Sequence, residues 1–380
     1  MRFLKFDRVH PREFLLQTWK GWKDLKTLDA AAYRDRIISL RSNYSDFFTH
    51  HLRRLGWNAE EFFPADEVFC RKIARELRPG GEDLFWRLTS VLPRKAWLRS
   101  PKRFEAIRRY VVGARPDILF VREWSEVPSS FWRSFRDQCL LVGRLSAPRP
   151  PGWQPADWDL LYTNGTGSHR SFREQGVPTL EALNGFDRRI LEETVDRGRR
   201  IAVAFVGGLG AWFEGRTRLM RSLAEHGLLE WWGYGLQELD RRDPLRRVYR
   251  GLASGLAMYQ IYRDSRIVVN DYIGVAGGLA VNQRLFEVLG VGSLLLTRED
   301  DSLAERIPRD CFVSYRDEED CLAKARKYLA DDAGRERIAA RGQAWVLERA
   351  EYALLMRLLA RQLEEAYERR FGRGPGDASI

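Results

Sequence analysis

Short apolar runs alternate with longer segments of helical periodicity, and the alternation occurs twice along the chain. In the first half the strand-like runs are 2–6 (RFLKF), 58–63 (NAEEFF, the weakest), 117–121 (DILFV), 139–143 (CLLVG) and 159–163 (DLLYT). In the second they are 201–206 (IAVAFV), 229–234 (LEWWGY), 266–270 (RIVVN), 292–297 (GSLLLT) and 311–314 (CFVS). Near-continuous apolar strands separated by helices predict parallel sheets covered on both faces. Two doubly wound α/β units follow. The boundary falls between residues 184 and 200, giving an N-terminal domain over 1–185 and a C-terminal domain over 200–345. Beyond Asp331 the pattern predicts helix to about Arg370 with a break near Gly342. Residues 346–371 are expected to be a terminal helix packing back on the N-terminal domain, with a frayed tail over 372–380. No internal repeat is present.

Composition narrows the classes. Of 380 residues, 44% are hydrophobic, with 13 Trp, 20 Phe and 13 Tyr, enough for two large cores. No apolar run is long enough to span a bilayer, and the N-terminus mixes charges among its apolar residues, so neither a membrane span nor a secretory signal is expected. A cytoplasmic protein is predicted. The four cysteines, at 70, 139, 311 and 321, match no zinc or redox spacing and read as structural thiols.

The net charge of +11 is unevenly placed. Residues 1–185 carry 32 basic and 22 acidic side chains, the remainder 32 and 31. Residues 94–109 (RKAWLRSPKRFEAIRR) alone hold seven cations, Arg94, Lys95, Arg99, Lys102, Arg103, Arg108 and Arg109, against Glu105. With Trp97, Leu98, Phe104 and Ile107 interleaved, the segment suits an anionic membrane surface or an acidic acceptor. A solvated helix pair fits equally, and Pro101 rules out one long amphipathic helix.

The strongest local signal is IAVAFVGGLG at 201–210, a strand running into glycines and then a helix from about Gly215. Gly207, Gly208 and Gly210 would let a backbone approach a phosphate, and the helix start offers N–H groups and positive dipole. A tight ligand-free turn uses the same glycines. As a dinucleotide fingerprint the segment fails, because Phe213 stands where the third glycine belongs. A second turn, GVAGGLAVNQRLFEVLGVGSLLLT at 274–297, would place Asn282 and Arg284 in the first turns of a helix from about Val281. Glu287, one turn on, could accept both hydroxyls of a ribose, or form an i,i+3 surface pair with Arg284.

NQRLFEVLGVGSLLLT and the following SLAERIPRDCFVSYRDEEDCLAKARKYLADDAGRERIAARG resemble the C-terminal domain of GT-B glycosyltransferases, specifically the CgeB-like, glycosyltransferase family 1-like group of spore-maturation and cell-surface enzymes. AFVGGLG, WWGYG and VVNDYIG fall in that family's order. RSNYSDFFTHHLRRLGWNAEEFFPAD, RPDILFV and DLLYTNGTGSHRSFREQGVPTLEALNGFD resemble its acceptor domain. The resemblance implies two Rossmann-like domains facing a central cleft. It also implies transfer of a sugar from a UDP- or GDP-sugar to a cell-envelope or surface glycan, lipid or protein, with no cofactor and no metal. It places Glu287 at the donor ribose, Gly207 and Gly208 at the diphosphate, Tyr234 with Gly235 at the nucleobase, and Asn282 with Arg284 near the phosphates. Many retaining members carry a second glutamate where this chain has Leu279.

The chemistry agrees: charge developing on a departing diphosphate is stabilised by helix N-termini and cations such as Arg216 and Arg284. An acceptor base would come from the first domain, where His10 and His169 follow strands and Asp46 precedes a helix; each also fits an ordinary solvated or capping position. The triplet Asp157-Trp158-Asp159 precedes a strand rather than ending one, and is not expected to hold a metal. Rival readings are a nucleotide-sugar epimerase on the same fold, a basic nucleic-acid-binding protein and a non-catalytic scaffold. Nucleic acid is disfavoured because the basic residues form no recognition motif.

Overall fold

The computed structural model describes residues 1–8, 12–42, 45–77, 93–122, 127–145, 152–163, 171–271 and 282–372. The chain divides into two units, Met1–Ala182 with the stretch from Met356, and Leu183–Leu355.

The first unit holds β1 (Arg2–Phe6), β2 (Asn58–Phe62), β3 (Ile118–Val121), β4 (Leu140–Leu145), β5 (Leu160–Thr163) and β6 (Thr179–Glu181). They form one sheet in the order β2-β1-β3-β4-β5-β6, every neighbour parallel. Every residue of β3, β4 and β5 is buried, as a sheet covered on both faces requires. The apolar pattern did not predict β6: three residues, Thr-Leu-Glu, offer no run to detect.

The second unit holds β7 (Ile201–Val206), β8 (Leu229–Trp232), β9 (Ser265–Asn270), β10 (Leu294–Arg298) and β11 (Val313–Tyr315), in the order β11-β10-β9-β7-β8, again all parallel. Val203, Phe205, Ile267, Val269, Leu294 and Leu296 pack in one core with Leu219, Met220 and Leu223 of the helix Glu214–Glu225. Helices Leu256–Arg263, Gln283–Gly290 and Asp332–Arg349 also pack against the central strands. In each unit the strand order reverses once, beside β1 in the first and beside β7 in the second. Such a switch point opens a crevice at the carboxyl ends of the two strands flanking it, where doubly wound sheets bind ligands. No helix among the described residues is long and apolar enough to cross a membrane. All four cysteines are buried and unpaired, and burial pushes the Cys70, Cys139 and Cys321 thiols up to about 12.

The C-terminal helices correct the expected break. Gly342 lies inside the continuous helix Asp332–Arg349, and the interruption comes at residues 350–351. There the backbone leaves the helix to exchange bonds with Phe186, whose N–H donates to the Ala350 carbonyl (2.9 Å) and whose carbonyl accepts from Tyr352 N–H (2.9 Å). Gly185 makes room, since a Cβ there would collide with the Ala350 carbonyl oxygen. Gly342 is a close-packing position: a Cβ would lie 2.6 Å from Leu289 Cδ2 and 2.7 Å from the Cys311 carbonyl oxygen. Gly342→Ala should therefore destabilise the protein by about 1–3 kcal/mol. Gly113→Ala, in a helix where a Cβ meets nothing within 4 Å, should instead be neutral or stabilise by up to about 1 kcal/mol. Thermal unfolding of the two variants measures the contrast, and equal shifts would contradict it.

Candidate functional site

At the carboxyl end of β7 the chain does not turn at once into a helix. The loop after β7 is first tied to the loop after β8, extending their parallel ladder. Gly207 N–H donates to the Trp232 carbonyl (2.8 Å), Leu209 N–H to the Tyr234 carbonyl (3.0 Å), and Trp231 Nε1 to the Gly207 carbonyl (2.9 Å). Backbones this close need glycine: Gly233 (φ 144°) and Gly235 (φ 103°) stand where a Cβ would strike the Gly207 and Leu209 carbonyls. The half-exposed Tyr234 ring lies over Gly208, with Cζ 2.5 Å from where a Cβ would be.

The loop's own hydrogen bonds change the expected anion cradle. Gly210 N–H donates to Thr217 Oγ1 (2.9 Å) and Ala211 N–H to Glu238 Oε2 (3.0 Å), so both amides already have acceptors. Within residues 207–211, Gly208 N–H alone has no acceptor among the described residues. The glycines serve loop packing as much as ligand approach, and positive charge must come from elsewhere.

It comes from two arginines. Arg216, in the first turn of Glu214–Glu225, is 8% exposed. Its Nη1 reaches the Gly208 carbonyl (3.4 Å) and its Nη2 the Asp271 carbonyl (2.7 Å), bridging the ends of β7 and β9, while Nε has no partner. Arg284, in the first turn of Gln283–Gly290, donates from Nε to Tyr262 Oη (3.3 Å) and from Nη1 to Asn270 Oδ1 (3.3 Å). Its Nη2 lies against Gly207, 2.9 Å from where a Cβ would stand. Both guanidiniums sit near the Phe205 ring, 5.7 and 5.2 Å from its centroid. Among the described residues neither makes an ion pair with a carboxylate. Burial, together with the like charge of Arg284, pushes the Arg216 pKa down to about 10. A buried cation, Arg216, and a half-buried one, Arg284, neither in an ion pair among the described residues, offer positive charge that an anion would complement.

Asn282 occupies the N-cap position of Gln283–Gly290 but makes no capping bond with its side chain. Its Nδ2 donates instead to Asn270 Oδ1 (3.1 Å), and its Oδ1 is buried without a partner. The helix N-terminus therefore stays uncapped beside the two arginines, open to an acceptor. Glu287, one turn further, is buried (7% exposed) and accepts from Tyr259 Oη at 3.4 Å. Burial pushes its carboxyl up to about 7 against the opposing pull of Arg284. It makes no ion pair with Arg284 among the described residues, which removes the surface-pair alternative. The structure thus brings Gly207, Gly208, Arg216, Asn282, Arg284 and Glu287 to the β7/β9 switch point, with Tyr234 and Gly235 on the adjoining loop. Gly210 (φ 125°) faces Glu238 and lies beside that cluster. Sequence reasoning did not single out Asn270, Asp271, Tyr259 or Tyr262. The Asn-Asp pair closing RIVVND was the available signal, since polar residues at the carboxyl end of a buried strand are placed for function.

In the first unit, Asp46 is buried next to the helix Phe47–Arg54, makes no side-chain cap, and pairs with Arg41 (2.7 Å). Its neighbour Ser45 accepts through its carbonyl from Lys5 Nζ (2.9 Å), which puts Asp46 near the carboxyl end of β1. His10, His169 and Leu279 lie outside the described residues. Asp157 accepts from Ser129 Oγ (2.6 Å), and Asp159 from Arg136 (2.6 Å), Arg370 (3.1 Å) and Leu141 N–H (3.0 Å). Both carboxylates of that triplet are engaged in holding the fold.

The basic segment 94–109 divides into helices Arg94–Leu98 and Pro101–Ala114, with Ser100 capping the second. Its apolar residues do not form an outer face: Trp97, Leu98 and Ile107 are buried in the core. Two of its cations are buried as well. Arg103 (0% exposed) donates to the Pro64 carbonyl (2.6 and 3.1 Å) and the Leu98 carbonyl (2.6 Å), and Lys102 is 6% exposed.

Residues 189–361 match a family model described as glycosyl transferase-like. A comparison with curated proteins gave no match. Solved structures with the same fold include sucrose-phosphate synthase of Thermosynechococcus elongatus (12% identity, 96% of this chain and 100% of that one, TM-score 0.57). Anabaena Alr3699/HepE, in complex with UDP-glucose, is similar over 96% of this chain and 100% of its own, at 14% identity and TM-score 0.56. A glycosyltransferase of Rickettsia africae ESF-5 is similar over 96% and 98%, at 10% identity and TM-score 0.58. The two parallel-sheet units are those of the GT-B fold, and the second carries the glycosyl transferase-like sequence pattern.

Burial keeps the proton on Glu287 up to about pH 7, whereas an ordinary glutamate releases it near 4.5. Between those values the folded state binds more protons than the unfolded chain, so the contribution of Glu287 is complete below about pH 4.5 and is lost as pH rises through 7. Glu287→Gln should therefore retain more of its pH 5 stability at pH 8 than the parent does, by up to about 3 kcal/mol. Denaturant unfolding at the two pH values measures this; parallel losses would show that Glu287 ionises as freely folded as unfolded.

Proposed function

We propose that this protein is a GT-B glycosyltransferase of the CgeB-like group, moving a sugar from a nucleotide diphosphate donor bound at the β7/β9 switch point to a cell-envelope or surface acceptor. The observation that carries the reading is the pair Arg216, buried, and Arg284, half-buried, two cations with only neutral hydrogen-bond partners. A nucleotide sugar carries two negative charges on its diphosphate, so the charges match. In this reading Gly208 N–H, the two guanidiniums and the uncapped helix at Asn282 hold the diphosphate. Glu287 takes the ribose hydroxyls, and Tyr234 with Gly235 line the base. As the glycosidic bond breaks, charge grows on the leaving diphosphate, and fixed guanidiniums stabilise it without a metal ion. Asp46 is the base candidate whose position is described, with His10 and His169 as the others. The exposed cations Arg99 and Arg108 could hold an acidic acceptor or an anionic surface by charge alone, because the apolar residues between them belong to the core. A cytoplasmic enzyme working at the inner membrane face fits this reading.

UDP-glucose, the compound bound in the Anabaena structure, is the first donor to test. Arg216→Met and Arg284→Met should each weaken its binding by about 10- to 100-fold. Uridine should bind both arginine variants as it binds the parent, whereas Glu287→Ala should weaken both ligands. Transfer should survive EDTA. Calorimetric titration and product analysis measure these outcomes. No nucleotide binding would leave the scaffold reading, whereas conversion of the sugar without an acceptor would indicate an epimerase.

A further inference from the structure

Arg284 is held by neutral partners, and one of them is placed to set both its direction and its charge. Asn270 closes β9 and is fully buried. Its Nδ2 donates to Thr297 Oγ1 on β10 (3.0 Å), and its Oδ1 accepts from Arg284 Nη1 (3.3 Å) and Asn282 Nδ2 (3.1 Å). Its carbonyl accepts from Tyr315 Oη (3.0 Å). The amide orientation is forced, because a guanidinium only donates and must face the oxygen. With Nη1 held by Asn270 and Nε by Tyr262, Nη2 is the edge left toward Gly207.

The next residue shows what an aspartate does at the end of this strand. Asp271 is buried too, and its Oδ1 accepts from Arg298 Nε (2.6 Å), a pair that cancels its charge. Successive strand residues point to opposite faces. The order Asn-Asp therefore presents an amide to Arg284 and a carboxylate to Arg298. The reverse order would give Arg284 a permanent counter-ion.

We propose that Asn270 is the positioning residue of the anion site, aiming Arg284 at the Gly207 loop while leaving its charge uncompensated for the ligand. This rests on the donor-site reading for the identity of the ligand, but not for the coupling between residues 270 and 284. Asn270→Asp isolates the charge, because the shape is kept and the Thr297 hydroxyl can turn to donate where it now accepts. Asn270→Ala removes the aim and leaves the charge free.

The experiment titrates UDP and uridine into the full chain and both variants, at two salt concentrations. Asn270→Asp should bind UDP at least about tenfold more weakly, with a shallower salt dependence and unchanged uridine affinity. Asn270→Ala should lose less. A purely structural role would reverse that order, since the truncation damages packing and the isostere does not, and that result overturns the proposal. So does equal loss of uridine binding. A ligand-free measurement separates this inference from the donor reading: Asn270→Asp should shift the melting temperature more favourably in the parent than in an Arg284→Met background. If the parent binds no UDP, the donor reading fails and this coupling alone decides; identical shifts in the two backgrounds overturn the positioning role.

Discussion

Parallel pairing of β7 with β9, with β8 on the far side of β7, decides where everything else in the second unit can act. Parallel strands bring their carboxyl ends to one edge, and the reversal of order leaves the loops after β7 and β9 diverging there. The helices that begin at Glu214 and Gln283 deliver Arg216 and Arg284 to that edge in their first turns. Neither arginine is near the other in sequence. The register of the sheet makes them neighbours.

The two units share this strand order and treat their switch points in opposite ways. At the end of β1, Lys5 contacts Glu61 (3.0 Å) and Asp7 (3.2 Å), and Asp7 meets Arg122 (2.8 Å). Burial works to raise Asp7, but Arg122 and Lys5 hold its carboxyl below the usual range; burial carries Glu61 up to about 7 despite Lys5. Cations there have carboxylates opposite them. At the second switch point Arg216 and Arg284 have carbonyls, a phenol and an amide, although Arg298 nearby pairs with Asp271 (2.6 Å). Leaving charge unmatched costs stability, and a ligand that brings the opposite charge would offset that cost.

Much of the scaffold was legible because buried parallel strands are nearly all apolar. IAVAFV was identified to the residue, and the other long runs to within one or two positions at each end. Where burial and pattern part, legibility ends: β6 is too short to show a run, and Gly342 reads as a helix break until its contacts with Leu289 and Cys311 are seen. The basic run 94–109 is a similar case. Its sequence displays seven cations with apolar residues between them, but Arg103 and Lys102 are buried and Trp97, Leu98 and Ile107 belong to the core. Charge along a chain says nothing of which side chains fold inward.

The sequence by itself determined two α/β units, the strand-to-glycine turn after β7 and the polar start of the helix at Gln283, because these depend on local periodicity and on residues adjacent in the chain. It did not determine which glycine amides were taken, that Glu287 was buried without an ion pair to Arg284, or that Asn270 stood between Asn282, Thr297 and the Arg284 guanidinium. Those contacts join residues 7 to 28 positions apart, most of them through the register of β7, β8, β9 and β10. Only the folded sheet brings such groups within hydrogen-bonding distance, and only there do Arg216 and Arg284 become neighbours held by neutral partners.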